Sequence, residues 1–318
     1  MKPQVFIDGE AGTTGLQIRQ RLEGRSDLTL LSIDADKRKD AGHRAELLNA
    51  ADLVVLCLPD DAAREAVALI ANPRVKVIDA STAHRTAAGW VYGFAEMDAA
   101  QEQRIADARF VANPGCYPTG AIAMLRPLVS KGLVPADYPV SVHAVSGYSG
   151  GGRKMIEQFE DPASTDPIAS AFYLYGLDLE HKHVAEMTAY SLLDHSPVFV
   201  PSVARFRQGM IVQIGLHRSH LTGKPSADEI QAVLADWYRD AGHVTLEPIH
   251  RGAKSLRLDP EELNGTNDLT IRVFATEAGD QILMTATYDN LGKGASGAAV
   301  QNLNIMLGLD RKLGLVAA

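Results

Sequence analysis

Gln4-Val5-Phe6-Ile7-Asp8-Gly9-Glu10-Ala11-Gly12-Thr13-Thr14-Gly15 opens the chain with an apolar run that passes directly into three glycines spaced three apart. Gln4–Ile7 reads as a buried strand, and Gly12–Leu22 reads as the helix that follows it. Glycines at such a junction allow a tight turn and let a pyrophosphate approach the backbone, where the helix N-terminus stabilises its charge. Gly9, Gly12, Thr13, Thr14 and Gly15 are therefore candidate cofactor-binding residues. The spacing is G-x-x-G-x-x-G rather than the common G-x-G-x-x-G, so the position after the first strand carries more weight than the spacing.

Downstream, Leu28–Ile33, Leu53–Leu58, Val75–Ile78 and Phe110–Ala112 read as strands, with a helix over Ala62–Ile70. Alternating strands and helices, with strands that are apolar almost throughout, indicate a parallel sheet covered on both faces. The second strand ends at Ile33-Asp34, where NAD enzymes place an acid for the ribose hydroxyls. Lys37, Arg38 and Lys39 follow closely and suit a 2′-phosphate instead. Asp34 argues for NAD and the basic trio for NADP, with the balance leaning to NADP(H).

The middle of the chain changes character. Val140–Val145, Val198–Val203, Ile211–His217, Leu269–Ala275 and Gln281–Thr287 read as strands, several alternating apolar and polar residues, as at Thr270, Arg272 and Phe274. That pattern predicts a mixed or antiparallel sheet with one face covered and the other toward a partner. Ser226-Ala227-Asp228-Glu229 is a capping box opening a helix to about Asp240, and Ala295–Leu309 reads as a last helix. The architecture is α/β at the start and α+β afterwards.

Bulk properties narrow the function. The 318 residues suggest two domains, and 46% apolar residues supply their cores. A net charge of −8 without a dense basic block argues against nucleic acid as a partner. No apolar run reaches the roughly 20 residues a membrane span needs, and the first residues show no signal-peptide pattern. Two cysteines, Cys57 and Cys116, make neither a disulfide framework nor a zinc spacing, so no metal is expected and a reducing cytoplasm is the expected address.

Cys116 is the sharpest chemical feature. It lies in Asn113-Pro114-Gly115-Cys116-Tyr117-Pro118-Thr119-Gly120, just before a helix rich in Ala, Ile and Leu that Pro127 is expected to kink or end. Pro118 suits a first helical turn, because its missing N–H has no intrahelical partner there. A thiol at a helix start has its anion stabilised by the dipole and the N–H groups, which also suit an oxyanion. Cys57, inside an apolar strand, reads as core. His181-Lys182-His183 offers a general acid–base to serve the thiol. Three glycine-rich polar stretches complete the candidates: Asp79–Arg85 and Ser146–Arg153, each after a strand, and Asp289–Ala299 before the last helix.

Together, G-E-A-G-T-T-G, N-P-G-C-Y-P-T-G, S-G-Y-S-G-G-G-R, H-K-H-V-A-E-M and D-N-L-G-K-G-A-S-G resemble the N-acetyl-gamma-glutamyl-phosphate reductase family of arginine biosynthesis, in its shorter form. The motifs follow the family's order and span Gly9 to about Asn304. The resemblance implies a Rossmann-type nucleotide-binding domain over residues 1–115, completed by 291–318, and a semialdehyde-dehydrogenase-like catalytic and oligomerisation domain over 116–290. It implies NADPH as reductant, N-acetyl-L-glutamyl 5-phosphate as the acyl-phosphate substrate, and a homo-oligomer, dimer or tetramer. Cys116 matches the family's nucleophile and His181 its acid–base, with His183 positioning substrate. Ser81 and Arg85 fall in the segment that meets the nicotinamide and the leaving phosphate in related semialdehyde dehydrogenases. Asn290 and Gly292 are expected at the cofactor, and Ser149 and Arg153 at the substrate.

One departure stands out. The usual H-R-H-x-P-E-I reads His181-Lys182-His183-Val184-Ala185-Glu186-Met187, so an arginine and a proline are lost. Lysine keeps the charge without the planar fork, which withdraws any inherited role from Lys182. Two other readings remain: a sister enzyme, such as aspartate-semialdehyde dehydrogenase or an aminoadipate-pathway reductase, and a nucleotide-sensing regulator. N-P-G-C-Y-P-T-G favours the acetylglutamyl enzyme over the first, and the second leaves Cys116 without a purpose.

Overall fold

The computed structural model describes residues 2–38 and 40–317, so Lys39 of the basic trio lies outside the described residues. The chain divides into two compact units. Among the described residues, one comprises those from 2 to 95 with 100–114 and 295–316; the other comprises 96–99 and 115–294, with 317.

In the first unit, β1 (Gln4–Asp8), α1 (Thr13–Leu22), β2 (Thr29–Leu31), α2 (Ala41–Ala50), β3 (Leu53–Leu56), α3 (Asp60–Leu69), β4 (Lys76–Asp79), β5 (Val91–Tyr92), α4 (Gln101–Asp107) and β6 (Phe110–Ala112) follow in order. The strands form one parallel sheet in the order β2-β1-β3-β4-β6-β5. Successive strand residues point to opposite faces, and both faces are covered. Val5, Ile7, Leu53, Val55 and Ile78 pack with Ile18 and Leu22 of α1 on one side. Phe6, Val54, Leu56 and Val77 pack with Leu48 of α2 and Ala63 and Ala66 of α3 on the other. Two-sided burial is why these strands read as unbroken apolar runs.

The second unit holds α5 (Cys116–Ser130), β7 (Ser141–Gly147), α6 (Gly152–Glu160), β8 (Phe172–Leu174), α7 (Val184–Tyr190), β9 (Val198–Ala204), β10 (Met210–His217), α8 (Ala227–Trp237), β11 (Val244–Leu246), β12 (His250–Arg251), β13 (Leu269–Ala275) and β14 (Gln281–Tyr288). Its sheet runs β11-β13-β14-β10-β7-β9-β8, with β12 beside β13. It is mixed: β10 pairs antiparallel with β14 and β7, whereas β7 and β9 run parallel. Helix α5 lies against β10 and β14, over inward residues such as Val212, Ile214, Met284 and Ala286 that are at most 2% exposed. The capping box holds: the Ser226 hydroxyl accepts from Glu229 N, and the Glu229 carboxylate accepts from Ser226 N. Past β14 the chain makes one π-helical turn, Gly292–Ser296, and enters α9 (Gly297–Met306). Ala299, Val300 and Leu303 of α9 belong to the core of the first unit.

Of the two effects expected of Pro127, ending the helix is not what happens. Helix α5 continues past it to Ser130. Proline leaves the carbonyl four residues back without its helical donor, and that carbonyl, Ala123 O, accepts instead from the buried Tyr238 hydroxyl at 2.8 Å. A tertiary hydrogen bond replaces the missing one. Among the described residues no helix is long and apolar enough to cross a membrane.

Candidate active site

The glycine turn has the geometry its residues demand. Gly9 sits at φ +89, and a Cβ there would collide with the Cys57 carbonyl, so only glycine fits. Gly12 is the N-cap of α1, which puts Thr13, Thr14 and Gly15 in its first turn. Beside the turn lies a cavity of about 280 Å³ lined by Gly9, Glu10, Ala11, Ile33, Arg38 and Arg44 among others. Arg38 donates to Glu10 Oε1 at 2.9 Å, and Arg44 to Asp8 Oδ2 at 2.7 Å. Lys37 instead pairs with the exposed Asp34 at 3.5 Å. A glycine turn, a helix start and two guanidinium groups, each paired with a carboxylate, surround one cavity, a setting that suits a dinucleotide's phosphates.

Cys116 is the first residue of α5, with Gly115 as N-cap. Three contacts hold it from behind. Gly115 N donates to Glu186 Oε2 of α7 at 3.0 Å. The Tyr288 hydroxyl donates to Cys116 O at 2.6 Å and accepts from Gly120 N at 3.0 Å. Gly294, in the π-helical turn, lies so close that a Cβ would come within 2.9 Å of the Cys116 Cβ. That turn is anchored by Lys293, whose ammonium meets the Glu96 carboxylate at 2.7 Å with both side chains no more than 2% exposed. Removing one partner would strand the other charge, at a cost of about 3–5 kcal/mol. Such π-turns recur at functional sites.

The histidine pair comes from the loop before α7. His183, the N-cap of α7, is buried, and His181 is half-buried. His183 N donates to His181 Nδ1 at 3.1 Å, so a neutral His181 ring carries its proton on Nε2. The rings lie 4.6 Å apart, and the ring of Tyr117, the residue after Cys116, is 6.3 Å from His181 and 5.9 Å from His183. Lys182 is exposed, so the lost arginine of the motif falls on the solvent side. At Cys57, desolvation, reinforced by Asp79 and Asp8, pushes the thiol up to about 12.

Other predicted residues fall in two groups. Ser81 and Arg85 are buried in the first unit. The Ser81 hydroxyl donates to Asp79 Oδ2 at 2.7 Å, alongside His84 Nδ1 at 2.6 Å, and Arg85 Nε donates to Asn113 O at 3.0 Å. Ser149 and Asn290 meet in the second unit: Asn290 Nδ2 donates to Ser149 Oγ at 3.0 Å, and its Oδ1 accepts from Gly209 N at 2.8 Å. Gly292 opens the π-turn. Arg153 is not brought to either cluster; it lies exposed on α6, on the Glu157 carboxylate at 2.6 Å. An i, i+4 pair on an amphipathic helix accounts for it without a ligand. Among the described residues no cluster of three or more His, Cys, Asp or Glu suits a metal.

Sequence reading passed over Arg44, Glu186, Tyr175 and Tyr288. Glu186 was within reach, since it stands inside H-K-H-V-A-E-M, and a buried carboxylate close to two histidines asks for a partner.

Two family profiles cover most of the chain: semialdehyde dehydrogenase, NAD binding domain, over residues 4–105, and semialdehyde dehydrogenase, dimerisation domain, over 116–290. N-acetyl-gamma-glutamyl-phosphate reductase 2 of Pseudomonas putida is 56% identical over 306 residues, 96% of this chain and 97% of its own. N-acetyl-gamma-glutamyl-phosphate reductase of Sinorhizobium medicae is 56% identical over 308 residues, 96% and 99% of the two chains. Among solved structures, aspartate semialdehyde dehydrogenase II of Vibrio cholerae superimposes with a TM-score of 0.72 at 15% identity, over 97% of this chain and 99% of that one. That likeness concerns the fold.

Proposed function

The chain belongs to the N-acetyl-gamma-glutamyl-phosphate reductase family, oxidoreductases of the semialdehyde-dehydrogenase type that use a nicotinamide cofactor, and we propose that it reduces N-acetyl-L-glutamyl 5-phosphate to the 5-semialdehyde in arginine biosynthesis, with NADPH, in the cytoplasm. The observation that carries this reading is the placing of Cys116 at the start of α5, tied through Gly115 and Glu186 to the helix whose N-cap is His183.

In the proposed sequence the Cys116 thiolate attacks the acyl carbon, the carbon–oxygen bond to phosphate breaks, and inorganic phosphate leaves behind a thioester. NADPH, when bound, supplies the hydride that reduces that thioester. His181 gives a proton to the resulting oxygen at Nε2 or recovers it as the carbon–sulfur bond breaks, releasing aldehyde and regenerating the thiolate. The N-terminal turn of α5 steadies negative charge on sulfur and on the acyl oxygen. His183 positions the substrate, and Ser81 and Arg85 serve the nicotinamide and phosphate side. Supplying phosphate and NADP with either N-acetyl-L-glutamate 5-semialdehyde or L-aspartate 4-semialdehyde tests the assignment. Faster NADPH formation with the aspartyl compound would overturn it.

NADPH is expected to be preferred over NADH, because Arg38 and Arg44 line the cavity while Asp34 points to solvent with Lys37. Arg38→Ala is expected to raise KM for NADPH about 10–100-fold, the size of a lost charged hydrogen bond, and to leave KM for NADH nearly unchanged. Equal effects on both cofactors would remove Arg38 from the 2′-phosphate.

The outer face of the second sheet fits a second copy of the chain. Ile211, Phe274 and Leu283 line cavities of about 320 and 590 Å³ there between them, and Leu283 is 39% exposed. Leu283→Glu is expected to lower the oligomeric state measured by sedimentation, since a buried unpaired charge in a dimer face is costly. An unchanged mass would place the interface elsewhere.

A further inference from the structure

Tyr175 stands in none of the motifs, yet its ring meets His181 and its hydroxyl meets Tyr117. It follows the edge strand β8, and its backbone N–H donates to Pro201 O of β9 at 3.2 Å. Its ring meets the edge of the His181 imidazole, with centroids 5.7 Å apart and planes inclined at 66°. Phe199 of β9 meets the same imidazole from 5.2 Å at 80°. The chain turn after Tyr175 closes on it as well, because a Cβ at Gly176 would lie 3.6 Å from His181 Cδ2. His181 is thus boxed by Tyr175, Gly176, Phe199 and Tyr117, with His183 N on its Nδ1. Edge-to-face packing of this kind is directional and sets a ring's orientation as well as its burial.

The hydroxyl of Tyr175 is committed to a neighbouring hydroxyl. It donates to the Tyr117 hydroxyl at 3.1 Å, which donates to Ser202 O at 3.1 Å, so the chain of hydroxyls ends on a backbone carbonyl of β9. Burial raises the Tyr175 phenol well above its ordinary value, and a charged Cys116 acts in the same direction. The phenol therefore stays protonated and serves as a strut to Tyr117.

We propose that Tyr175 is a positioning residue for His181: its ring holds the imidazole in the orientation used at the thioester, and its hydroxyl is dispensable. The proposal rests on His181 as the proton-transfer group, and its test separates the two. Misplacing a reacting group by about 1 Å can cost up to about 100-fold. Tyr175→Phe is expected to keep kcat within about threefold, whereas Tyr175→Leu and Tyr175→Ala are expected to lower it at least about tenfold with KM for acyl phosphate changed less than about threefold. In a His181→Asn background the Tyr175→Leu loss is expected to vanish, because a residue acting through another has nothing left to position. Carbethoxylation of His181, followed by peptide mass spectrometry, is expected to quicken in Tyr175→Leu and stay at the wild-type rate in Tyr175→Phe. This last readout reports the ring's confinement whether or not His181 transfers the proton.

Full activity in Tyr175→Leu, an equal loss in Tyr175→Phe, or a loss that persists in the His181→Asn background overturns the positioning role. A His181→Asn enzyme with unchanged kcat overturns the acid–base reading instead, and leaves the modification rates to judge the box. Two apolar replacements of different size guard against one failing to fold, checked by near-ultraviolet circular dichroism.

Discussion

Cys116→Ala is expected to lower turnover by about 10⁴–10⁶-fold, the scale seen when a covalent nucleophile is removed. The fold should survive, because the contacts that hold this position use its backbone: Gly115 N on Glu186, Cys116 O on Tyr288, and the Gly294 backbone behind its Cβ. Alanine keeps all three. Iodoacetamide gives an independent reading of the same site. At pH 8 a thiol at about 12 is ionised in only about one part in 10⁴, so Cys57 should label slowly in the native protein. Cys116, at a helix start, should take up one label and lose activity in step, and acyl phosphate should protect it. Substantial turnover in Cys116→Ala, measured with cofactor and substrate saturating, would end the thioester mechanism.

Much of this arrangement is written locally. The strand-turn-helix at Gln4–Leu22 can be read because two-sided burial imposes apolar runs and the turn imposes glycine. The helix start at Cys116 can be read because Gly115 and Pro118 suit N-cap and first-turn positions. Helices α2, α4, α6 and α7 and strands β5, β8, β11 and β12 escape the reading, most of them because they are short or bury few residues; α2, as long as α1, buries Leu48 alone. The partner that lets α5 run on past Pro127 is hidden for a related reason: it is a tyrosine 115 positions from the orphaned carbonyl, and no local pattern contains both.

The site shows the same division. Sequence places Ser149 and Asn290 in two separate glycine-rich loops, and only the folded chain joins them across 141 positions. Glu186 reaches Gly115 across 71, and the box around His181 draws on α5, the β8 loop and β9. Arg153, a guanidinium after a run of glycines that suggests an anion site, sits on a neighbouring glutamate in solvent, a pairing that the spacing of four residues makes equally legible. Residue type and spacing announce the chemistry a segment offers. Which segments share that chemistry is a property of the tertiary packing.

The histidine pair turns that distinction into kinetics. Spacing treats His181 and His183 alike, but the structure does not. His183 is buried at the helix N-cap, and its backbone N–H holds His181 Nδ1, which leaves the proton of a neutral His181 on Nε2. A proton-transfer group acts mainly in the transition state, so losing it lowers kcat with little change in KM, whereas losing a positioning group raises KM. His181→Asn is accordingly expected to cut kcat by about 10²–10⁴-fold, the usual size of general acid–base catalysis. His183→Asn is expected to raise KM for acyl phosphate, with a milder loss of turnover. His181→Gln refines the test, because an amide can offer a hydrogen bond near the same place without transferring a proton. It should fall as far as His181→Asn if proton transfer is what His181 supplies. Recovery of His181→Gln to within about tenfold of the parent, less than general acid–base catalysis is worth, would make His181 a hydrogen-bond donor to the acyl oxygen instead. A larger kcat loss in His183→Asn than in His181→Asn would reverse the two roles, and unchanged turnover in both would move the base out of this loop.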